Sequence, residues 1–462
     1  MLDCFAPRPS PETVPIVPIV PVGAADLKKR LDAEATRTVA WLESTGFKAN
    51  PGQLALLPGA TGRLARVFVG AEPEDALWSL ADLPSRLPAG RYSLDAKLDR
   101  RQATRAALGW ALGSYAFTRY RKRERKAIDL VWPREADRDL VLHTAEAVYL
   151  VRDLVNTPAG DLGPAELAAA AKALARKHRA TCSVIVGDAL VKQNYPMIHA
   201  VGKGSAQAPR LIDIAWGPAK GPRVTLVGKG VCFDSGGLDL KPSSGMKLMK
   251  KDMGGAAHAL GLAAMIMAAR LPVRLRVLIP AVENMVSGNS FRPLDVLRTR
   301  KGLTVEIGNT DAEGRLILAD ALAEADRDKP DLLIDFATLT GAARVALGPD
   351  LPAMFTDQDD LAADLQRHAA AEADPIWRLP LWRPYRPGLD SKVADLNNIA
   401  DSSFAGAIYA ALFLKEFVSD GTPWAHFDLY AWNARSRPGR PEGGEAMALR
   451  GLFALIKERF GK

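Results

Sequence analysis

Residues 303–325 read LTVEI, GNTDAEGR and LILADALAEA, which are an apolar segment, a polar loop and a second apolar segment. The first segment has the short apolar pattern of a strand, and the last has apolar residues at helical spacing. Asp311, Glu313 and Arg315 occupy alternate positions of the loop between them. The stretch therefore predicts a strand that leads through a charged loop into a helix, a unit typical of α/β folds.

These loop charges also have a purely structural explanation. Asn309, Thr310 or Asp311 could cap the helix, and Glu313 would then complete a capping box. This explanation accounts for one carboxylate and leaves Arg315 without a role.

The pattern of apolar strand, unusual loop and helix recurs in the second part of the chain. Val224–Val227 leads into GKGVCFDSGG, Arg276–Pro280 into AVENMVSGNS and Leu332–Phe336 into ATLTGA. Alternating strands and helices predict a mostly parallel or mixed central sheet flanked by helices. Ligands bind such sheets at the carboxyl ends of the strands, where the unusual residues of this chain lie.

The length of 462 residues predicts more than one domain. We expect an α/β fold with a smaller N-terminal α/β domain at 1–138 and a larger C-terminal domain at 139–462 that carries the unusual loops, joined by a helix at 139–160. The N-terminal strand candidates are LALL, RLARVFVG, RYSLD and AIDLVW. The proline-rich first 23 residues lack the pattern of a secretory signal and are expected to form an extended lead-in.

Composition limits the class of protein. Hydrophobic residues make up 48% and charged residues 25% of the chain, as in globular proteins, and no apolar run has the length of a membrane span. The three widely spaced cysteines predict no disulfide framework and favour a cytoplasmic location. None of the six histidines forms an HExxH pair, so any metal would be held mainly by carboxylates.

The net charge of +8 raises the possibility of a nucleic-acid partner. The densest basic run, residues 119–126, ends an amphipathic segment predicted to be helical over 102–122. We interpret this run as the solvated C-terminal end of a helix, where cations are favoured.

A second charged loop region is Leu226–Gly255, LVGKGVCFDSGGLDLKPSSGMKLMKKDMGG. It lacks the phosphate-binding pattern GxxxxGK[ST]. Phe233 stands where a dinucleotide-binding loop, or a nucleophile elbow around Ser235, requires glycine. Ordinary salt bridges, with Asp252 capping the next helix, would explain any one of its charges.

Four carboxylates brought together would repel one another unless cations compensate, and a pair of divalent metals does so. A two-metal hydrolase and a set of structural ion pairs both remain open on the residue pattern alone. The residues concerned follow strand ends on glycine-rich loops: Lys229, Asp234, Lys241, Asp252, Asp311, Glu313 and Arg315.

Three runs, VGKGVCFDSGG, MKKDMGGAA and NTDAEGRL, resemble the signatures of the leucyl aminopeptidase family, the cytosolic di-metal M17 peptidases. RDLVNTPA, AVENMVSGN and ATLTGA resemble further family segments. The resemblance covers roughly residues 145–430, and the N-terminal part is similar only in general character.

The resemblance implies a role for each candidate residue. Two divalent ions, Zn²⁺ or Mn²⁺ with Mg²⁺ as the alternative, would be bridged by Asp234 and Glu313. Lys229 and Asp252 would complete one metal site and Asp311 the other.

Lys241 and Arg315 would be the catalytic pair, with a bicarbonate held at Arg315 as general base. The pocket for the first side chain of the substrate would include Met249, Thr338 and Gly341, although core packing explains these three equally well. An apolar pocket discriminates weakly, so we expect a broad preference for apolar N-terminal residues such as leucine.

The chain departs from the family pattern at three places. Lys251 precedes Asp252 where many relatives carry a small residue, and Val286 replaces a common proline. The C-terminal run WAHFDLYAWNARSRPGRPEGGEA also differs, which puts the distal wall of the pocket in question.

The resemblance further implies peptide substrates, a homohexamer, no membrane association and a cytoplasmic location. Two other hypotheses are a DNA-binding or regulatory protein of the same fold and a catalytically dead scaffold. The first lacks a helix-turn-helix signal in the N-terminal part. The second is disfavoured because every metal-binding and catalytic residue type is present.

Overall fold

The computed structural model of the protein describes residues 3–6, 15–72, 77–121 and 127–461. The chain folds into two compact units, one of Met1–Tyr149 with Ala434–Glu442 and one of Leu150–Asn433 with Gly443–Lys462. The division falls within a long helix, α5, at Arg138–Asn156. The domain boundary that we expect after residue 138 stays a prediction.

The first unit is built on a six-stranded sheet in the order β1-β6-β5-β2-β4-β3. Neighbouring strands run parallel except at one edge, where β3 and β4 form an antiparallel pair. Four of these strands coincide with the predicted candidates. The strands are β1 Phe5–Ala6, β2 Ile16–Val22, β3 Leu54–Pro58, β4 Leu64–Gly70, β5 Gly90–Leu94 and β6 Ile128–Val131.

Residues 16–22 of the proline-rich lead-in are extended, as expected, but they form β2, an interior strand of the sheet. Pro18 pairs only with β5, and Pro21 pairs only with β4. Each proline therefore lies where the strand has a single neighbour, so its missing N–H is compatible with the ladder. Ile19, between the two prolines, is completely buried.

The helix predicted over residues 102–122 is shorter than expected. It spans Arg100–Gly113 and begins with a capping box between Asp99 and Gln102. Residues 119–121 of the basic run therefore lie outside that helix, and residues 122–126 of the run lie outside the described residues. The helices of this unit before α5 are α1 Leu27–Asp32, α2 Thr36–Ser44, α3 Leu83–Arg86 and α4 Arg100–Gly113.

The second unit contains a mixed sheet in the order β16-β15-β18-β14-β9-β11-β8-β7, with β10 also paired to β11. Its central strands are parallel, whereas β7, β8 and β15 pair antiparallel toward the edges. The strands are β7 Thr181–Val186, β8 Arg210–Trp216, β9 Arg223–Gly228, β10 Gly230–Asp234, β11 Arg274–Asn284, β14 Leu332–Ala337, β15 Ala353–Phe355, β16 Trp377–Arg378 and β18 Trp424–Asp428.

Two small sheets accompany the central one. The first has the order β12-β13-β17, and the second pairs β19 with β20. The strand predicted from LTVEI is β13, so it belongs to the small three-stranded sheet and not to the central sheet. The strands are β12 Val296–Arg298, β13 Thr304–Glu306, β17 Leu396–Asn397, β19 Trp432–Asn433 and β20 Gly443–Gly444.

Helices cover the central sheet and share its core. Helices α10 and α11 both contact β9. Their bounds and those of the other helices in this unit are α6 Pro164–His178, α7 Ala189–Lys192, α8 Pro196–Gly202, α9 Ser243–Met246, α10 Gly254–Ala268, α11 Glu313–Arg327, α12 Gly341–Leu347, α13 Asp359–Ala371, α14 Gly406–Lys415 and α15 Leu449–Phe460.

The chain thus has the mixed α/β architecture expected from its alternating pattern. Apolar side chains of α11, such as Leu316 and Ile317, are completely buried in one cluster with Val227 of β9 and Leu333 of β14. No helix in the described ranges is both long and apolar enough to cross a bilayer.

Candidate metal centre and active site

The carboxyl ends of five parallel strands bring the candidate residues together. Lys229 follows β9, Asp234 ends β10 and Thr338 follows β14. Asn284 at the end of β11 pairs in register with Asp234, and Asp428 ends β18. Because parallel strands end at the same edge of a sheet, residues far apart in sequence converge there.

Lys229 is held between two carboxylates. Its Nζ lies 2.7 Å from Asp252 Oδ2 and 3.0 Å from Glu313 Oε1, and it donates a hydrogen bond to the Thr338 carbonyl at 3.0 Å. A Cβ at Gly314 would lie 2.4 Å from Lys229 Cε. Glycine at 314 therefore makes room for the lysine side chain.

Lys241 joins two further carboxylates. Its Nζ lies 2.8 Å from Asp234 Oδ2 and also contacts Asp311 Oδ1. The other oxygen of Asp234 accepts hydrogen bonds from the backbone N–H of Gly236 at 2.8 Å and from Asn284 Nδ2 at 2.9 Å. These contacts fix the orientation of the Asp234 carboxylate.

Asp252 lies in a 3₁₀ turn, Met249–Met253, directly before α10. Its Oδ1 accepts a hydrogen bond from the Thr338 hydroxyl at 2.7 Å. The residue at the N-cap of α10 is Met253, and no side chain caps that helix. The alternative that Asp252 serves as a helix cap is therefore wrong, because its carboxylate turns toward Lys229 and Thr338.

The capping-box interpretation of GNTDAEGR is also wrong. The N-cap of α11 is Ala312, and no side chain caps the helix. Asn309 instead accepts a hydrogen bond from the N–H of Asp311 at 2.7 Å. Glu313, the first residue of the helix, is buried, and a negative charge is favoured at that end.

Arg315 lies in the first turn of α11 and is also buried. Its Nη1 donates a hydrogen bond to the Asn398 carbonyl at 2.6 Å. Its Nε is buried and has no hydrogen-bond partner among the described residues. The guanidinium therefore keeps a donor that a further acceptor could use.

Polar residues that the sequence did not reveal hold the two charged loops in place. The Asn284 amide donates to Asp234 and also to the Thr310 carbonyl at 3.1 Å. Asn398 Oδ1 accepts from the N–H of Gly308 at 2.8 Å, and its Nδ2 donates to the carbonyl of Asn309 at 2.7 Å. Asn284 belongs to the quoted AVEN run, but no sequence signal distinguishes Asn398.

A cavity of about 520 Å³ opens on this centre. All five proposed metal ligands and Lys241 line it. Met249, Thr338 and Gly341, the candidates for the substrate pocket, line it as well. Arg315 is the one predicted site residue that is not among the lining residues.

The electrostatics of the centre follow from burial and crowding. Burial, reinforced by Asp234, raises the pKa of Glu313 well above its ordinary value and that of Asp311 to about 6. Burial opposes protonation of Lys229, but the carboxylates of Asp252, Glu313 and Asp234 outweigh it and raise the pKa of that lysine. Burial lowers the pKa of Arg315 to about 10.

The residues present fit divalent cations. Carboxylate oxygens of Asp234, Asp252 and Glu313 lie within 4.8 Å of one another. Asp252 Oδ2, Glu313 Oε1 and Asp311 Oδ1 are buried without a well-oriented hydrogen bond among the described residues, although lysine Nζ atoms lie close. Hard oxygen donors that remain available in this way suit Zn²⁺, Mn²⁺ or Mg²⁺.

The sequence departures lie at distinct places. Lys251 is 5% exposed and lines the cavity, and burial lowers the pKa of its ammonium to about 8. Tyr430, from the divergent C-terminal run, lines the same cavity. Val286 is 53% exposed and does not line it.

Fold and site together define an α/β protein with a buried, carboxylate-rich cluster that fits divalent metals at the carboxyl edge of a sheet. The catalytic-domain model of the cytosol aminopeptidase family, Peptidase M17, matches residues 149–453, and the M17 aminopeptidase N-terminal domain model matches residues 17–133. The chain belongs to the M17 cytosol aminopeptidase family, which is a family of metal-dependent aminopeptidases.

Individual relatives agree with this assignment. The chain is 40% identical over 452 residues to a probable cytosol aminopeptidase of Leifsonia xyli, covering 91% of this chain and 90% of the relative. The crystal structure of the cytosol aminopeptidase of Coxiella burnetii has a TM-score of 0.95 and 51% identity, with 99% of this chain and 100% of that chain covered. The bottromycin maturation enzyme BotP in complex with Mn has a TM-score of 0.88 and 36% identity, covering 96% and 99%.

Proposed function

We propose that this protein removes single residues from the N-terminus of peptides by metal-dependent hydrolysis. The observation that carries the proposal is the convergence of five metal-ligand candidates and Lys241 on one cavity. Structural ion pairs alone do not require these groups to face an open cavity, with buried carboxylate oxygens held only by lysine ammonium groups.

We assign the ligands of two divalent ions to the carboxylates and to Lys229. Asp234 and Glu313 would be shared by the two ions, Lys229 and Asp252 would complete one site, and Asp311 would complete the other. When bound, such a metal pair supplies a water-derived nucleophile at neutral pH. Asn284 and Thr338 hold the carboxylates of Asp234 and Asp252 in position.

Lys241 is the electrophilic group of the proposed reaction. Its ammonium lines the cavity and is only 15% exposed, so it can donate to the scissile carbonyl oxygen where negative charge develops. The free Nε of Arg315 fits a planar oxyanion, and we propose that Arg315 holds a bicarbonate, whose chemistry is that of a general base.

The substrate end of the cavity favours a free N-terminus. The substrate amino group would lie near Asp252, which restricts cleavage to the first peptide bond. Met249, Thr338 and Gly341 would surround the first side chain, and we propose that apolar residues such as leucine are accepted broadly.

We further propose a cytoplasmic homohexamer that acts on peptides. The nucleic-acid alternative gains nothing from the described part of the chain.

The decisive experiment is hydrolysis of a leucine anilide after chelation and re-addition of Zn²⁺, Mn²⁺ or Mg²⁺. We expect activity to disappear with the metal and to return with at least one of the three ions. Glu313→Gln should lose bound metal, measured by elemental analysis, together with activity, because the buried Glu313 oxygen is one of the proposed bridging donors.

Glu283→Gln is the matched control. Glu283 accepts a hydrogen bond from Ser205 at 2.5 Å and does not line the cavity, so its variant should keep metal and activity. Full anilide hydrolysis by a metal-free protein, or a Glu313→Gln protein that binds metal like the parent, would contradict the proposal.

A further inference from the structure

Lys251 is a buried cation on the wall of the cavity. It lies in the same 3₁₀ turn as Met249, a candidate for the substrate pocket, and only 5% of it is exposed. Its Nζ lies over the ring of Tyr430, 4.6 Å from the ring centroid, and both residues line the cavity.

The Lys251 ammonium has no anionic partner within the described part of the chain. Its Nζ makes neither a hydrogen bond nor an ion pair with those residues. The neighbouring carboxylate of Asp252 is engaged by Lys229 and Thr338. A largely buried ammonium that has a ring face but no anionic or hydrogen-bonding partner is costly, so this one is suited to an acceptor that enters the cavity.

A second cation lies on the same side of the cavity. The Arg344 guanidinium is over the Tyr430 ring at 5.1 Å, and its Nη2 would lie 4.0 Å from a Cβ built on Gly341. Tyr430 thus contacts both cations, next to another residue of the candidate substrate pocket.

Beyond the metal centre, this part of the cavity carries a positive balance. Asp428 is the carboxylate that lines it outside the proposed metal ligands, set against Lys251 and Arg344. Asp428 is already engaged, since it accepts from the N–H of Leu339 at 3.0 Å and from the Thr340 hydroxyl at 2.5 Å. Two cations therefore face this part of the cavity, and the carboxylate that lines it outside the proposed metal ligands is already engaged.

We propose that the pocket for the first residue accepts acidic side chains, with Lys251 pairing to the carboxylate of an N-terminal glutamate or aspartate. This inference rests on the proposed aminopeptidase activity and extends its substrate class. The methylene groups of such a side chain can contact Met249, as an apolar residue would, and the carboxylate then reaches the ammonium. The charged pair favours an acidic side chain over an uncharged one of the same shape, while apolar side chains still contact Met249.

The test compares kcat/KM for glutamyl, glutaminyl and leucyl anilides, since glutamine has the shape of glutamate without its charge. We expect the metal-loaded parent enzyme to favour glutamyl over glutaminyl anilide. Lys251→Met should lower that ratio by about tenfold or more, the loss expected for a hydrogen bond to a charged group. Lys251→Arg should keep the ratio above one.

Lys250→Met is the matched control, because the neighbouring lysine donates to the Asn156 carbonyl at 2.6 Å and does not line the cavity. It should keep the parent ratio. If Lys251→Met does not fold, Arg344→Met takes its place. The glutamyl-to-glutaminyl ratio of that variant should be lower than the ratio of the parent enzyme, and an unchanged ratio would count against the inference.

The outcomes separate the two proposals. A parent enzyme that hydrolyses the leucyl anilide with a glutamyl-to-glutaminyl ratio of one or less, or a ratio that Lys251→Met leaves unchanged, overturns the acidic-substrate inference alone. A metal-loaded parent that hydrolyses none of the anilides overturns the aminopeptidase proposal itself.

Discussion

Replacing Lys241 by methionine separates catalysis from metal binding. The substitution keeps an unbranched side chain of similar length and removes the ammonium that contacts Asp234 Oδ2 at 2.8 Å and Asp311 Oδ1. Both carboxylates then lose a competing cation. Metal affinity should therefore be retained or increased, because the ligand oxygens become more available to a dication.

The expected loss of turnover follows from the position of the ammonium. A single charged donor aimed at a developing oxyanion contributes about 10² to 10³ in kcat. Lys241 lines the cavity and its side chain is 15% exposed, which reduces the ability of water to replace it. We expect kcat to fall by that factor while KM changes little, since the interaction strengthens mainly in the transition state.

The assay measures kcat and KM with leucine anilide alongside metal content by elemental analysis. Lys247→Met is the control, because Lys247 is exposed and does not line the cavity. A Lys241→Met enzyme within tenfold of the parent kcat would refute the assigned role. So would a loss of metal that parallels the loss of activity, since Lys241 would then support the metal site instead.

Two further predictions concern α11. Asp320 accepts from the N–H of Met197 at 2.8 Å and of Arg300 at 2.7 Å, and burial raises its pKa to about 7. Between about pH 4 and 7, Asp320 keeps its proton in the folded state and loses it in the unfolded chain. The free energy of unfolding therefore falls as pH rises, by up to about 1.4 kcal/mol per pH unit. In urea denaturation, the free energy of unfolding of Asp320→Asn should fall less over that pH window than that of the parent protein. A difference in this free energy between parent and variant that does not change with pH would contradict the prediction. Gly314→Ala should weaken metal binding in calorimetric titration, because the new Cβ would lie 2.4 Å from Lys229 Cε. The loss is expected even though alanine in place of glycine normally stabilises a helix by about 1 kcal/mol. An unchanged metal affinity would show that this crowding does not disturb Lys229.

Local pattern was sufficient where a physical signal is local. The strand at residues 223–228 and the helix that begins at Glu313 appear as apolar runs with the correct periodicity. The charged loops between such elements were recognisable as a candidate site, because bringing several charges together away from water costs free energy unless they have partners or a function. The prolines of β2 did not suggest an interior strand from the sequence. Whether a missing N–H breaks the hydrogen-bond ladder depends on which neighbours the strand has at that residue, and only the folded sheet shows this.

The α/β class, the family motifs and the seven charged candidates of the metal centre can all be read from the amino-acid sequence. The orientation of these charges requires the folded chain, because Asn284 and Asn398 act through contacts with residues distant in sequence. The choice between a helix cap and a site for Asp252 and Glu313 also requires it, since that choice depends on where each carboxylate points. The place of Lys251 beside Tyr430 was equally inaccessible from the sequence, because that contact joins a turn before α10 to a loop after β18.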